Sequence, residues 1–252
     1  MEFKTEGISM LTLLEGDNLE LMKELGKFHL IYFDPPFNTG KTQSLHAGAY
    51  TDQYENYEAF LKPRLQAAYE HLTEEGSFFL HLDKNEVHYA KVWCDGIWGR
   101  NCFQNEIIWV YDFGGRSKKR YAAKHDTILW YTKHPTRYTF EYQHLDRIPY
   151  MAPGFVGAEK AAKGKCITDC WWQTIVPTMG KERTGYPTQK PLLLMQRLVN
   201  IHTQPGDRVL DAFAGSGTMG EACWKNQREC VLIDQNPEAH QVMQKRFQCL
   251  ET

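Results

Sequence analysis

The sequence predicts an α/β fold built on a doubly wound, mostly parallel sheet of about seven strands. Two observations carry this. Phe28-His-Leu-Ile-Tyr-Phe33 is a compact apolar run of the kind that fills a strand covered on both faces. After residue 190, segments of helical and strand character alternate regularly.

Residues 10–15 read as a strand and 17–25 as a short helix. The apolar run follows and stops at Asp34-Pro35-Pro36, because proline donates no ladder hydrogen bond. Residues 38–55 read as a long polar loop. In 56–72, Phe60, Leu61, Leu65, Ala68, Tyr69 and Leu72 fall at helical spacing, with Pro63 in the first turns. Gly76 punctuates before a strand at 77–82, and 86–98 reads as a helix. Residues 106–111 and 127–131 are strands around a basic loop. Residues 133–186 are rich in Pro, Gly, Tyr and Lys and lack a period, so 135–185 reads as a lobe inserted into a single domain spanning 1–252. Then come a helix (191–202), a strand (207–211), a helix start (218–225), a strand (230–234) and a helix (238–250).

Hydrophobic residues make up 42% of the 252 and charged residues 24%, an ordinary globular composition. No apolar run approaches the roughly 18 residues of a membrane helix. No signal peptide is read at the N-terminus, so the expectation is a cytoplasmic protein without membrane contact. The seven cysteines are irregularly spaced. Cys166 and Cys170 form a C-x3-C with no second pair, so reduced thiols are expected rather than a metal site. Net charge is −2, but residues 113–190 carry 14 Lys/Arg against 6 Asp/Glu, and the remainder 15 against 25. A basic third on an acidic body suggests a local polyanion-binding face; a merely solvated basic surface is the alternative.

Two motifs carry chemistry. In Asp211-Ala-Phe-Ala-Gly215-Ser-Gly217-Thr218-Met-Gly220 a strand enters a glycine loop that opens a helix. Asp234 follows at the end of the next strand, where a carboxylate can accept hydrogen bonds from both hydroxyls of a ribose. Gly215-x-Gly217-x-x-Gly220 also fits a dinucleotide fingerprint. Asp211, placed before the loop, favours an ammonium-bearing ligand over a pyrophosphate.

Asp34-Pro35-Pro36-Phe37 is the more specific signal. An exocyclic base amine is a poor nucleophile because its lone pair is delocalised into the ring. Fixed acceptors on both N–H groups free that lone pair. The Asp34 carboxylate and the Pro35 carbonyl supply two, and the prolines stiffen the turn that aims them. Phe37 offers a face on which a flipped base can stack.

With both motifs present, the chain resembles the amino-methylating DNA methyltransferases of the permuted β group, in which D-P-P-Y/F precedes the glycine loop. The resemblance includes Gly16-Asp17, Asp34-Pro-Pro-Phe-Asn-Thr-Gly40, Trp98-Gly-Arg100, Tyr186-Pro-Thr-Gln-Lys-Pro191, the Gly215 loop and Ile233-Asp234-Gln-Asn-Pro-Glu238. It implies a Rossmann-like seven-stranded methyltransferase sheet with circularly permuted motif order. It implies S-adenosyl-L-methionine as cofactor and double-stranded DNA as substrate, and it suggests a homodimer and a cognate restriction endonuclease. Catalysis falls to Asp34, Pro35, Pro36 and Phe37. Asp17 would meet the cofactor's adenine end, Thr188 and Lys190 its methionine carboxylate, and Phe213 would wall its pocket. Asp211, Gly215, Gly217, Thr218 and Asp234 complete the cofactor set. Residues 135–185 correspond to the target-recognition region, and Arg116, Lys118, Lys119 and Arg120 would face DNA phosphates. Trp171 and Trp172 are expected in the core. The family's usual histidine is Tyr186 here, and its commoner tyrosine is Phe37.

The sequence thus points to N6 methylation of adenine in DNA, since an aspartate at the first motif position tends to accompany adenine in this group. N4 methylation of cytosine by the same geometry is the near alternative. An NAD-dependent oxidoreductase using the Gly215 loop is the distant one, and it leaves Asp34-Pro-Pro-Phe unexplained. No metal is required.

Overall fold

A computed structural model describes residues 1–5, 8–45 and 48–250. In chain order its elements are β1 (Glu2–Thr5), β2 (Ile8–Glu15), α1 (Asn18–Met22), β3 (Phe28–Phe33), β4 (Lys41–Leu45), β5 (Gly48–Asp52), α2 (Tyr57–His71), β6 (Leu72–Leu82) and α3 (Val87–Trp98). They continue with β7 (Phe103–Val110), β8 (His125–Thr132), β9 (Arg147–Ile148), α4 (Ala158–Lys163), β10 (Lys165–Cys166) and β11 (Cys170–Trp172). The last are α5 (Leu192–His202), β12 (Arg208–Asp211), α6 (Thr218–Lys225), β13 (Glu229–Asp234) and α7 (Pro237–Gln248).

The main sheet has nine strands in the order β1-β2-β13-β12-β3-β6-β8-β7-β11. Its seven central strands are those the sequence indicates, parallel except for β8, which runs against both β6 and β7. Two edge strands were not expected: β1, antiparallel to β2, and β11, parallel to β7. At four and three residues they are too short to show a period.

Alternation along the strands builds two cores. Leu30, Tyr32, Phe79, Val209 and Leu232 face Leu198, Met219, Met243 and Phe247 of α5, α6 and α7. Ile31, Phe33, Phe78, Leu210 and Ile233 face Met22, Leu61, Leu65, Ala90 and Trp98 of α1, α2 and α3. The helix after β3 and the helix after β12 therefore leave on opposite faces, although those strands are neighbours. A crevice opens between their carboxyl ends, as at the switch point of any doubly wound sheet.

Three local expectations are corrected. Residues 38–55 are not simply a loop, because β4 and β5 pair as an antiparallel hairpin; their polar sequence gives no apolar face to read. Strand β6 begins at Leu72 and runs through Gly76. A Cβ at Gly76 would lie 3.1 Å from the Phe28 carbonyl oxygen, so this glycine permits close strand approach instead of ending a helix. The pair Trp171-Trp172 is split: Trp171 is buried and Trp172 is 77% exposed, as alternation on an edge strand requires.

Parts of residues 135–185 are packed onto the main sheet and α5. Tyr138 and Phe140 lie against Trp130, Glu141 N–H donates to the Ile201 carbonyl, and β11 joins the main sheet.

Candidate active site

A cavity of about 670 Å³ occupies the crevice. Asp34, Pro35, Pro36 and Phe37 line one part, and Asp17, Thr188, Lys190, Asp211, Phe213, Gly215, Thr218 and Asp234 line the rest. Two motifs 170 residues and more apart thus share one chamber because β3 and β12 are adjacent. Gly217 does not line it. Its left-handed φ of 73° starts α6, and a Cβ there would lie 2.7 Å from Met243 Cγ and 2.8 Å from Phe247 Cζ. Gly217 therefore also serves the packing of α6 on α7, a demand separate from the ligand contact expected of it. Gly215, at φ 50°, does face the chamber, with the Tyr186 ring 3.2 Å from where its Cβ would be.

In the cofactor half, Asp211 ends β12 fully buried, and the Phe213 N–H donates to its Oδ1 at 3.2 Å. Burial pushes its carboxyl up to about 8, against the opposing Phe213 hydrogen bond and with help from Asp34 and Asp234. Such a group is costly to ionise alone and well suited to a cationic ligand. Asp234 ends β13; the Gly215 N–H donates to Oδ2 and the Asn236 N–H to Oδ1, both at 2.8 Å. Burial raises its pKa, and those two N–H groups restrain the rise. A carboxylate has about four acceptor positions, so capacity for two hydroxyls remains. A buried acid for an ammonium, a diol acceptor and a glycine wall fit S-adenosyl-L-methionine.

On the other side of the chamber, Lys190 Nζ lies 2.5 Å from Asp34 Oδ2. The ammonium also sits 5.4 Å from the Phe37 ring centre. The other carboxylate oxygen, Oδ1, is buried without a hydrogen-bond partner among the described residues. An acceptor in that state is costly unless a donor arrives. The turn is fixed from outside. Tyr57 OH donates to the Pro36 carbonyl at 2.6 Å, and Asp52 accepts the N–H groups of Asn38 and Thr39. Asn38, at φ 56°, donates through Nδ2 to Glu86 and accepts the Tyr54 N–H.

Sequence reasoning missed several of these supports. Asp17 caps α1 through Oδ1 and binds Arg64 through Oδ2 at 2.6 Å, and Arg64 also donates to Asn18 at 2.7 Å. The available signal was Arg64 itself, a charge within the buried stripe Leu61, Leu65 and Ala68 of α2. Behind Phe37 lies a second network. Tyr32 OH meets His81 Nδ1 at 2.8 Å, and His81 Nε2 meets Asp126 at 3.3 Å; Tyr111 OH donates to Asp126 at 3.2 Å. Burial raises the Asp126 carboxyl, but the bonds from His81 and Tyr111 and the charge of Lys190 outweigh it, leaving the pKa lowered. Tyr32, His81 and Asp126 come from three strands and Tyr111 from just beyond a fourth, so no sequence spacing marks them.

Arg116, Lys118, Lys119 and Arg120 are exposed, between β7 and β8 and outside the cavity. Because β7 runs with β3 and β6, this loop leaves the same sheet edge on which the cavity opens. Among the described residues no group of three or more His, Cys, Asp or Glu is placed to hold a metal, and no helix is long and apolar enough to cross a membrane.

Residues 28–245 match the family model described as DNA methylase, which covers N6 and N4 amino-methyltransferases. The chain belongs to this DNA methylase family. The methylase is 30% identical over 227 residues to the Type II methyltransferase M.HpaI of Haemophilus parainfluenzae, covering 89% of the chain and 69% of that protein. It is 26% identical over 242 residues to the DNA adenine methyltransferase YhdJ of Escherichia coli K12, covering 90% and 79%. The solved PvuII DNA methyltransferase, cytosine-N4-specific, shares the methylase's fold with a TM-score of 0.72 at 17% identity, over 95% and 86% of the chains. These findings do not support the oxidoreductase alternative.

Proposed function

We propose that this DNA methylase transfers a methyl group to N6 of adenine in double-stranded DNA, with S-adenosyl-L-methionine as donor. The observation that supports the reading is Asp34 itself, a residue of the chamber that Asp211 and Asp234 line, with Lys190 on Oδ2 and no hydrogen-bond partner for the buried Oδ1 among the described residues. When bound, S-adenosyl-L-methionine supplies an activated methyl group. Asp211 holds its ammonium, Asp234 its ribose hydroxyls, and Phe213 and the Gly215 loop wall its pocket. Asp34 Oδ1 and the Pro35 carbonyl accept the two N–H groups of the target amine, which frees the nitrogen lone pair. Phe37 stacks on the flipped base.

Residues 135–185 take part in target recognition in this reading, the enzyme works in the cytoplasm, and a homodimer and a cognate endonuclease are its proposed partners. Single-molecule sequencing of DNA from cells expressing the protein tests the base and the site together. N6-methyladenine at one recurring site is expected; N4-methylcytosine instead would overturn the choice of base and leave the mechanism intact.

A further inference from the structure

The segment between β7 and β8 closes on itself. The N–H groups of Tyr111 and Asp112 donate to the Lys124 carbonyl at 3.1 and 3.4 Å. Lys124 Nζ donates to the carbonyls of Phe113 at 2.9 Å and Gly114 at 2.6 Å. These bonds form a neck, and residues 115–123 stand beyond it as a compact loop. Within the loop, Ser117 Oγ accepts the N–H groups of Lys119 at 3.2 Å and Arg120 at 3.3 Å, fixing the turn that carries the cations. Tyr121 follows Arg120 and is 102% exposed. A lone exposed aromatic is ordinary. This one stands next to four cations, on a loop leaving the sheet edge where the cavity opens.

We propose that Tyr121 enters the DNA duplex where the target base leaves it. The inference rests on the reading of the cavity as a flipped-base site. Extruding a base leaves its neighbours unstacked and its partner unpaired. A flat ring sliding into the gap restores stacking, and a phenol hydroxyl offers the orphaned partner both a donor and an acceptor. Arg116, Lys118, Lys119 and Arg120 bring the loop to the backbone by pairing with phosphates. Two other exposed rings beside the end of β7 fit less well. Phe113 is 60% exposed, but its backbone is tied into the neck. Trp172 is held in the β11 ladder opposite Val110. Of these three rings, Tyr121 is the one carried beyond the neck.

The test uses the full chain and a duplex containing its own methylation site, found by sequencing. 2-Aminopurine at the target position reports extrusion as a rise in fluorescence. Tyr121→Ala is expected to lose methylation rate on the paired duplex by on the order of tenfold to a hundredfold, the size of one base–aromatic stack. It should recover on a duplex whose target faces an abasic site, where extrusion is easy, and Tyr121→Phe and Tyr121→Trp should keep most of the rate. Cofactor affinity and melting temperature should not change. Replacing Lys118, Lys119 and Arg120 by alanine should instead weaken both duplexes alike. The proposal is wrong if Tyr121→Ala extrudes and methylates the paired target like the wild type, or loses equally on both duplexes. A wild-type protein that methylates no DNA overturns the reading of the cavity and this proposal together, and that failure is seen before any variant is compared.

Discussion

Lys190 Nζ grips one oxygen of Asp34 at 2.5 Å and leaves the other buried with nothing to accept. The resemblance assigns Lys190 to the cofactor's carboxylate; the geometry ties it to the Asp34 turn. The two roles separate by measurement. Lys190→Met should cut single-turnover methyl transfer while cofactor affinity changes little, because it acts through Asp34. A loss confined to cofactor affinity would return Lys190 to the role the resemblance implies.

Asp34→Ala should remove transfer while the cofactor still binds. Losing one preorganised acceptor costs on the order of 10²–10³ in rate. Phe37→Tyr should retain activity because the stacking face survives, whereas Phe37→Ala should lose base capture by about 1–3 kcal/mol. Labelled-methyl transfer with parallel cofactor titration reads all three, and wild-type rates in Asp34→Ala would end the catalytic assignment.

Asp211 gives a pH signature. Its carboxyl, pushed up to about 8 by burial, is mostly protonated at pH 7 in the empty protein. Binding an ammonium beside it favours the ionised form, so binding should release a proton and tighten as pH rises toward 8. Without ligand the sign for stability is opposite. The folded carboxyl lies above its unfolded value, so its contribution is full below about pH 4 and is lost as pH rises through 8. Calorimetry in buffers of different ionisation enthalpy should show the proton release, and Asp211→Asn should abolish it.

Gly217 and Asp234 should fail in different ways. Gly217→Ala places a methyl 2.7 Å from Met243 Cγ at a left-handed φ, so melting temperature should fall, by about 1–3 kcal/mol of stability. Asp234→Ala should weaken cofactor binding by roughly 1.5–3 kcal/mol per charge-assisted hydrogen bond lost. A Gly217→Ala protein with wild-type melting would contradict the packing role.

Replacing Lys118, Lys119 and Arg120 together should flatten the salt dependence of DNA affinity. The log–log slope should fall by up to about 0.9 for each phosphate contact removed. An unchanged slope would make these residues a solvated surface.

The central sheet was legible because Phe28–Phe33 and the segments after residue 190 are long, apolar and bounded by Pro or Gly. The motifs on which the proposed chemistry rests were legible because Asp34-Pro-Pro-Phe and the Gly215 loop are each continuous in sequence. What stayed hidden is assembled across elements. Arg64 reaches Asp17 over 47 positions, and His81 reaches Asp126 over 45. The β4–β5 hairpin was hidden because its register rests on backbone pairing, with no apolar alternation to announce it. The packing role of Gly217 was hidden because a positive φ and a tight contact with α7 fall on one residue of a glycine loop.

Strands β12 and β13 lie in the middle of the sheet, between β2 and β3, although they come near the end of the chain. While the ribosome is still making residues 1–200, β2 and β3 lack the strands that join them. Closing the sheet then pairs Leu30 with Val209 and Leu11 with Cys230, contacts of very high sequence separation and high entropic cost. Folding should therefore finish late and slowly. The chamber should be completed only in that step, so a chain stalled before it would carry the Asp34 turn without the wall that Asp211 and Asp234 provide.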